Sequence, residues 1–218
     1  GTFAPSSGRV TITARSPLQW PPAHGDTNMG GHWGPELKWA GYDQIVIQGA
    51  AKEPVYLWVD DDNIEIRSAK NVWGKTTREA DKIIKEELGD EDIKVAVIGP
   101  AGENLVRFAC VLNSVYRAAG RTGMGAVMGS KKLKAIAVRG SKPVQIADPE
   151  KLEQVSGDIR DRMKSDPMRN FLYPEGTLLL FDHTNDMGWT CTRNFQAGYF
   201  PGAENLSGLV HAKYYLGA

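Results

Sequence analysis

Cysteine is nearly absent from this 218-residue chain, occurring only at Cys110 and Cys191. Two thiols so far apart cannot form a disulfide framework or ligate an iron–sulfur cluster alone. They are read as reduced thiols, which gives a cytoplasmic expectation. Charge of one sign is also missing: Lys+Arg and Asp+Glu both number 26. That excludes the basic excess of a non-specific nucleic-acid binder. No apolar run approaches the roughly 18 residues of a membrane helix, and no basic segment followed by an apolar one opens the chain as a signal peptide would. The initiator Met is missing too. "GTFAPSSGRVTITARSP" reads as the middle of a sheet domain, so a fragment or processed chain is expected. What remains is ordinary for a globular protein, with 41% apolar and 24% charged residues.

Several elements are legible. "VTITA", Val10 to Ala14, suits a strand, and the prolines of "SPLQWPPAHGD" impose a loop. Gly30 to Ala40 reads as a short helix opened by glycines, and "QIVIQG" as a compact β run. "PVYLWVDDDNIEIRSA" predicts a hairpin turning at Asp60 to Asn63; three acidic residues there suggest a metal, but a solvated turn is the stronger reading. Thr76 to Leu88 predicts a helix with a Thr76/Glu79 capping box and Gly89 beyond its end. "IKVAVIGP", "LVRFACVLN", "KAIAVRG" and "KPVQIA" read as strands, and Met124 to Lys131 as a second glycine-opened helix. From Asp148 the pattern turns helical. The division is therefore 1–147, mainly sheet, and 148–218, helical.

Two stretches share a grammar. "GGHWGPELKWAGYDQIVIQGAAKEPV" and "GMGAVMGSKKLKAIAVRGSKPV" each run through glycines, a short helix, Leu-Lys, an apolar run, a glycine and Lys before Pro-Val. Two such units around a pseudo-two-fold axis would place two helix N-termini at one cleft, where free N–H groups and bare backbone suit phosphate. Arg9, Arg117 and Arg121 stand beside them. Glycines before a helix equally serve close packing. A dinucleotide fingerprint is disfavoured, because an arginine-rich loop rather than a strand precedes "GMGAVMG" and Gln145 stands near the place of the acidic residue.

At "GGHWGPELKWAGYDQIVIQG", "PVYLWVDDDNIEIRSAKNVWG", "VIGPAGENLVRFACVLN" and "RAAGRTGMGAVMGSKKLKAIAVRG" the chain resembles the tungsten-containing aldehyde ferredoxin oxidoreductase family, and "RNFQAGYFPGA" extends the likeness. The resemblance implies an α+β fold: two β-sheets related by a pseudo-two-fold axis, with short helices, followed by an α-helical segment. It implies a tungsten or molybdenum bis-pterin whose phosphates are bridged by magnesium. The magnesium ligands carried over are the backbone carbonyls of Asn28 and Ala118, and the other cofactor contacts are Arg9, Gly30, Gly31, Arg117, Gly120 and Arg121. Arg9 matches an arginine lying between pterin and cluster.

The resemblance further implies a small aldehyde substrate, a 4Fe-4S cluster and ferredoxin or another electron carrier. It also implies an anaerobic setting and a homo-oligomer or electron-transfer subunit. The cluster cysteines and the catalytic Glu and His of the family are expected outside this chain, and Cys191 is not a ligand. Reduction of an aryl-CoA, or a non-catalytic phospholigand-binding fragment, are the alternatives. "QWPPAHGDTN" departs from the family's shorter loop, at a place that bears on substrate access. His24 there reads as a solvated residue, His32 as a candidate for a cofactor hydrogen bond, and His183 and His211 as structural.

Overall fold

The computed structural model describes residues 4–5, 7–21, 23–172 and 175–215, in two compact units, Gly1–Asp148 and Pro149–Ala218. The expectations resting on Gly1 and on Pro22 lie outside the described residues.

The first unit carries two sheets and several short helices. The smaller sheet pairs β1 (Val10–Arg15) with β2 (His24–Met29) antiparallel, Val10 opposite Met29 and Arg15 opposite His24. The larger has six strands in the order β4 (Asn63–Ser68), β3 (Val55–Asp60), β8 (Leu133–Arg139), β5 (Lys94–Val97), β6 (Val111–Asn113) and β7 (Arg117–Ala119). Among the described residues only the β3–β8 pair is parallel. β8 sits in the middle, so it is apolar on both faces, and its small residues let both layers approach.

Side chains alternate between two cores. Val59, Ala96, Ile136 and Val138 face one layer with Trp33, Leu37, Met124 and Met128. Tyr56, Trp58, Val95, Val97, Ala135 and Ala137 face the other, where Ala80 and Ile84 pack. The first layer contains α1 (Trp33–Trp39) and α4 (Met124–Ser130); the second contains α2 (Thr77–Leu88). α3 (Pro100–Glu103) packs on α4. The bare surface of Gly129 makes that contact possible, and Gly125 is bare against the segment that leads into β6. A Cβ on Gly129 would fall 1.9 Å from the Gly102 carbonyl oxygen, and one on Gly125 would fall 2.5 Å from that of Cys110.

α2 starts as its sequence dictates. The Thr76 hydroxyl accepts from Glu79 N, and the Glu79 carboxylate accepts from Thr76 N, while Gly89 closes the helix at φ 74°. The hairpin turns at Asp61-Asp62. That turn is solvated as expected, with Asp60, Asp62 and Asn63 exposed, and it is also tied down. Asp61 accepts from Ser141 N at 2.9 Å and Asp62 pairs with Lys142 at 2.6 Å, so the turn anchors the chain leaving β8.

Three expected strands differ. Residues 44–49 form no strand among the described residues, and Val46 and Ile47 are exposed beside Ile64 and Ile66, over a groove of about 490 Å³. Only Val111–Asn113 of "LVRFACVLN" is a strand, because Leu105, at φ 58°, turns the chain after α3. "KPVQIA" is irregular, led off by the anchored Ser141 and Lys142. The repeat also parts company with its grammar: Leu37-Lys38 lies inside α1, whereas Leu133-Lys134 opens β8.

The second unit contains α5 (Pro149–Ser165), α6 (Pro167–Leu172), α7 (Leu179–Asp186) and α8 (Gly208–Tyr215). Between α7 and α8 the chain is irregular rather than helical, apart from a short 3-10 turn at Ala203–Asn205. Buried Asn185 organises it, accepting from Phe200 N at 2.8 Å and donating to Phe200 O at 3.3 Å.

Candidate functional site

The site begins with the alternation of β2. Gly25, Thr27 and Met29 point inward and His24, Asp26 and Asn28 outward, so Asn28 reaches the surface, where its Oδ1 accepts from Thr11 Oγ1 at 3.0 Å. Inward-facing Thr27 accepts from Arg121 N at 3.2 Å. The Thr122 hydroxyl lies 3.1 Å from Asp26 O, and Ser16 Oγ donates to Thr122 O at 3.0 Å. These bonds fasten the β1–β2 ribbon to the turn that follows β7. At the other end, Asn113 Nδ2 donates to Gly30 O at 2.9 Å.

The eight expected site residues thereby fall along one seam. Arg9 Nη1 lies 3.7 Å from where a Gly30 Cβ would be, and Arg117 Cγ lies 3.2 Å from the corresponding point on Gly31. Arg117 and Ala118 belong to β7, opposite Asn113 and Leu112, and Gly120 and Arg121 follow directly. Arg9, Asn28, Arg117, Ala118, Gly120 and Arg121 are exposed, and Gly30 and Gly31 half-buried.

The electrostatics are uneven. Arg139 is tied to Glu36 at 3.0 Å and Asp90 at 2.8 Å, and Arg67 to Glu65 at 2.7 Å. Arg9, Arg117 and Arg121 form no such ion pair among the described residues. The Arg117 guanidinium instead lies 5.3 Å from the centre of the Tyr116 ring. Three cations along one seam without carboxylate partners make a local field that an anion would relieve. β2 pairs only with β1, and β7 only with β6, so each leaves an unpaired edge among the described residues. Alternate carbonyl oxygens on such edges remain free to meet a hard cation.

The two glycine stretches contribute differently from the expectation. The N-terminus of α4 is occupied by the protein itself: Gly125 N donates to Ala109 O at 2.9 Å, and a Cβ on Gly123 would fall 2.0 Å from Arg107 O. Those glycines serve packing. In the first stretch Gly34 packs on Val10, whereas Gly31, at φ +95°, is bare where Asn113 and Arg117 approach. A short strand, β7, does precede the second glycine run, contrary to the loop expected, but it is a terminal antiparallel strand, not the parallel strand of a dinucleotide fold.

His32 is exposed and stands at the start of α1 without capping it, and His24 opens β2 near Thr13, 3.2 Å from its Oγ1 to Nε2. His183 and His211 are exposed rather than packed. Cys110 is half-buried and Cys191 exposed, both free. No group of three or more His, Cys, Asp or Glu able to hold a metal exists among the described residues. No helix among them is long and apolar enough to cross a membrane.

The residues that join the seam, Asn113, Thr27 and Thr122, carried no signal in the sequence. Only their partners' main-chain atoms make them important.

The family model for the aldehyde ferredoxin oxidoreductase N-terminal domain matches residues 1–140. A tungsten-containing aldehyde ferredoxin oxidoreductase of Pyrococcus abyssi is 49% identical over 217 residues, 99% of this chain and 35% of that protein. Its counterpart in Pyrococcus horikoshii is 48% identical over 217 residues, with the same coverage of 99% and 35%. The chain thus spans about a third of the length of these relatives. Among solved structures, the active site complex BamBC of benzoyl coenzyme A reductase, in complex with 1,5-dienoyl-CoA, superposes with a TM-score of 0.69 at 41% identity, covering 72% of this chain and 24% of that one.

Proposed function

Because the chain belongs to the aldehyde ferredoxin oxidoreductase family, we propose that its first unit is the cofactor cradle of a tungsten oxidoreductase, and that the seam from Arg9 to Arg121 grips the phosphate arms of a bis-pterin. The observation that carries this reading is the row of three arginines along the seam that have no carboxylate partner among the described residues, with Arg9 beside Gly30 and Arg117 beside Gly31. An arginine fork holds two phosphate oxygens in one plane, and Arg117 and Arg121, flanking β7 and its turn, take one arm. Arg9, beside Gly30, takes the other. Gly31 keeps the backbone bare where Asn113 and Arg117 close on it, which brings Arg117 to the first half of the cradle. The main-chain carbonyls of Asn28 and Ala118, on strands with open edges, are assigned to magnesium between the arms. Gly120 keeps the approach to Arg121 free of a side chain.

The chemistry the cofactor supplies when bound is the two-electron oxidation of a small aldehyde to a carboxylic acid, with electrons leaving singly through a 4Fe-4S cluster to ferredoxin or another carrier. This chain's share is to bind and orient. Neither Cys110 nor Cys191 is assigned to the cluster. A second reading, reduction of an aryl-CoA, draws on the benzoyl coenzyme A reductase likeness. Assaying the complete protein with aldehydes and with an aryl-CoA, using a viologen dye, separates the two.

The cradle is tested by Arg117→Ala and Arg121→Ala in the complete protein, purified without oxygen. One lost charge-assisted hydrogen bond is worth about 1.5–3 kcal/mol, or roughly 10- to 150-fold in affinity. Bound pterin and tungsten per polypeptide should fall in each variant and further in the pair. Unchanged content in the double variant shows that these arginines do not hold the phosphates.

A further inference from the structure

We infer that Asn113 is the positioning residue that sets the separation of the two halves of the cradle, Gly30-Gly31 on one side and Arg117 on the other. The inference rests on the reading above.

Asn113 ends β6 and is 1% exposed. It touches both halves at once. Its Nδ2 donates to the Gly30 carbonyl at 2.9 Å, across 83 residues of sequence. Its backbone is paired in the strand register with Arg117. The Ser114 hydroxyl donates to Oδ1 at 3.0 Å, which fixes the amide plane and leaves the NH2 group aimed at Gly30. Gly31 has made room for it, since a Cβ there would stand 2.3 Å from Oδ1.

The loop behind Asn113 is shaped to the same end. Ser114 and Val115 adopt φ of 49° and 67°, a left-handed conformation that a β-branched residue avoids. Such backbone persists where its surroundings over-determine it. It returns the chain within three residues, so that Arg117 faces Asn113. A shift of Asn113 would move the Gly30 carbonyl and Arg117 relative to each other, and with them the spacing offered to two phosphates. Thr27 and Thr122 fix the far end, at Arg121, but reach no residue of the Gly30-Gly31 pair.

The test uses the complete protein with Asn113→Asp, which keeps size and shape but replaces the donor by an oxygen facing the Gly30 carbonyl, and Asn113→Ala. Three quantities are measured: pterin and tungsten per polypeptide, the thermal midpoint, and the line shape of the tungsten(V) paramagnetic resonance signal after partial reduction. We expect roughly 10-fold weaker cofactor retention, in keeping with one lost buried hydrogen bond, and an altered line shape in what is retained. A merely structural asparagine would lower the midpoint and leave the line shape of retained cofactor unchanged, and that result overturns the inference. Should neither variant accumulate in folded form, Ser114→Ala decides. It frees the amide plane and is expected to alter the line shape, whereas a parental line shape overturns the inference. Cofactor loss in Arg117→Ala with none in the Asn113 variants refutes this inference alone; no loss in either set refutes the cradle itself.

Discussion

Replacing Gly31 by Ala, with Gly49→Ala as its control, separates backbone strain from the contact that joins the two halves of the seam. Both glycines are left-handed, at φ +95° and +71°. A Cβ at Gly49 meets nothing within 4 Å, so Gly49→Ala suffers the conformational penalty alone, about 1–2 kcal/mol. At Gly31 the new methyl would lie 2.3 Å from Asn113 Oδ1 and 3.2 Å from Arg117 Cγ. Asn113 must retreat by roughly 1 Å to reach an ordinary van der Waals distance. That retreat stretches the 2.9 Å bond from Nδ2 to Gly30 O past hydrogen-bonding range and leaves a buried amide unpaired. A lost buried partner adds about 1–3 kcal/mol, so Gly31→Ala should cost roughly 2–5 kcal/mol in total. Urea unfolding of the complete protein, followed together with pterin content, measures both effects. Gly31→Ala should lower the midpoint more than Gly49→Ala and should alone release cofactor. Equal midpoints and equal pterin content in the two variants would show that the 30–31 backbone and Asn113 are not in the close contact described.

Three further outcomes are expected. Lys134, wholly buried, has its ammonium pKa pushed down by burial against the opposing pull of Glu103, to which it is ion-paired; Lys134→Met should cost about 3–5 kcal/mol by stranding that carboxylate, and Lys134→Met with Glu103→Leu should recover much of the loss in a urea series. Thr76→Ala removes the acceptor for Glu79 N and should lower stability by about 1 kcal/mol, seen as faster amide exchange in the first turn of α2. The carboxyls of Asp61, Glu79 and Asp90 are held below their ordinary values, chiefly by hydrogen bonds from Ser141, from Thr76 and from the Asp92 backbone N–H respectively. Depressed carboxyls contribute stability above their unfolded values, 3.8 for Asp and 4.5 for Glu, that is lost as pH falls through the folded ones. Thermal midpoints should therefore drop in that acid range, with a shallower drop in Glu79→Gln; an unchanged slope in that variant counts against the assignment.

How much could be read in the sequence follows from which interactions are local. The Thr76/Glu79 box, the Asp61-Asp62 turn and Gly89 act within four residues of themselves, and each took the form the sequence implied. The family resemblance led to the eight seam residues, and folding brings Arg9 beside Gly30 and Arg117 beside Gly31. "QIVIQG" has strand composition but no pairing partner among the described residues, and a strand without a partner is only an extended chain. β2 was masked by its composition, "HGDTNM", whose strand character comes from pairing with β1 and not from propensity. Close packing was one of two readings of the second glycine run, and the sequence could not choose between them because the surface that Gly125 and Gly129 meet, around Ala109 and Gly102, comes from elsewhere in the chain. Asn113 escaped notice for the same reason.

The β3–β8 pairing skips a residue. Val55 faces Leu133, but Tyr56 faces Ala135, so Lys134 is a bulge. Beyond it, β8 reads Ala-Ile-Ala-Val, apolar on both faces, so that polarity alone does not mark the register and only the difference in size between the Ala135/Ala137 face and the Ile136/Val138 face opposes a slip. Charge removes that ambiguity. Lys134 finds Lys75 O at 2.9 Å and the Glu103 carboxylate in one register only, and six positions after the bulge Gly140 N finds Glu36 at 3.0 Å. The two ends act as a key cut at both tips: deleting or inserting one residue between them leaves at least one buried charge facing hydrocarbon. Insertions and deletions should therefore be tolerated along the β3–β4 turn or the 44–51 segment long before they are tolerated within Leu133–Arg139. A library of single-residue deletions scored for folded protein would map that central strand as the least forgiving stretch of the unit.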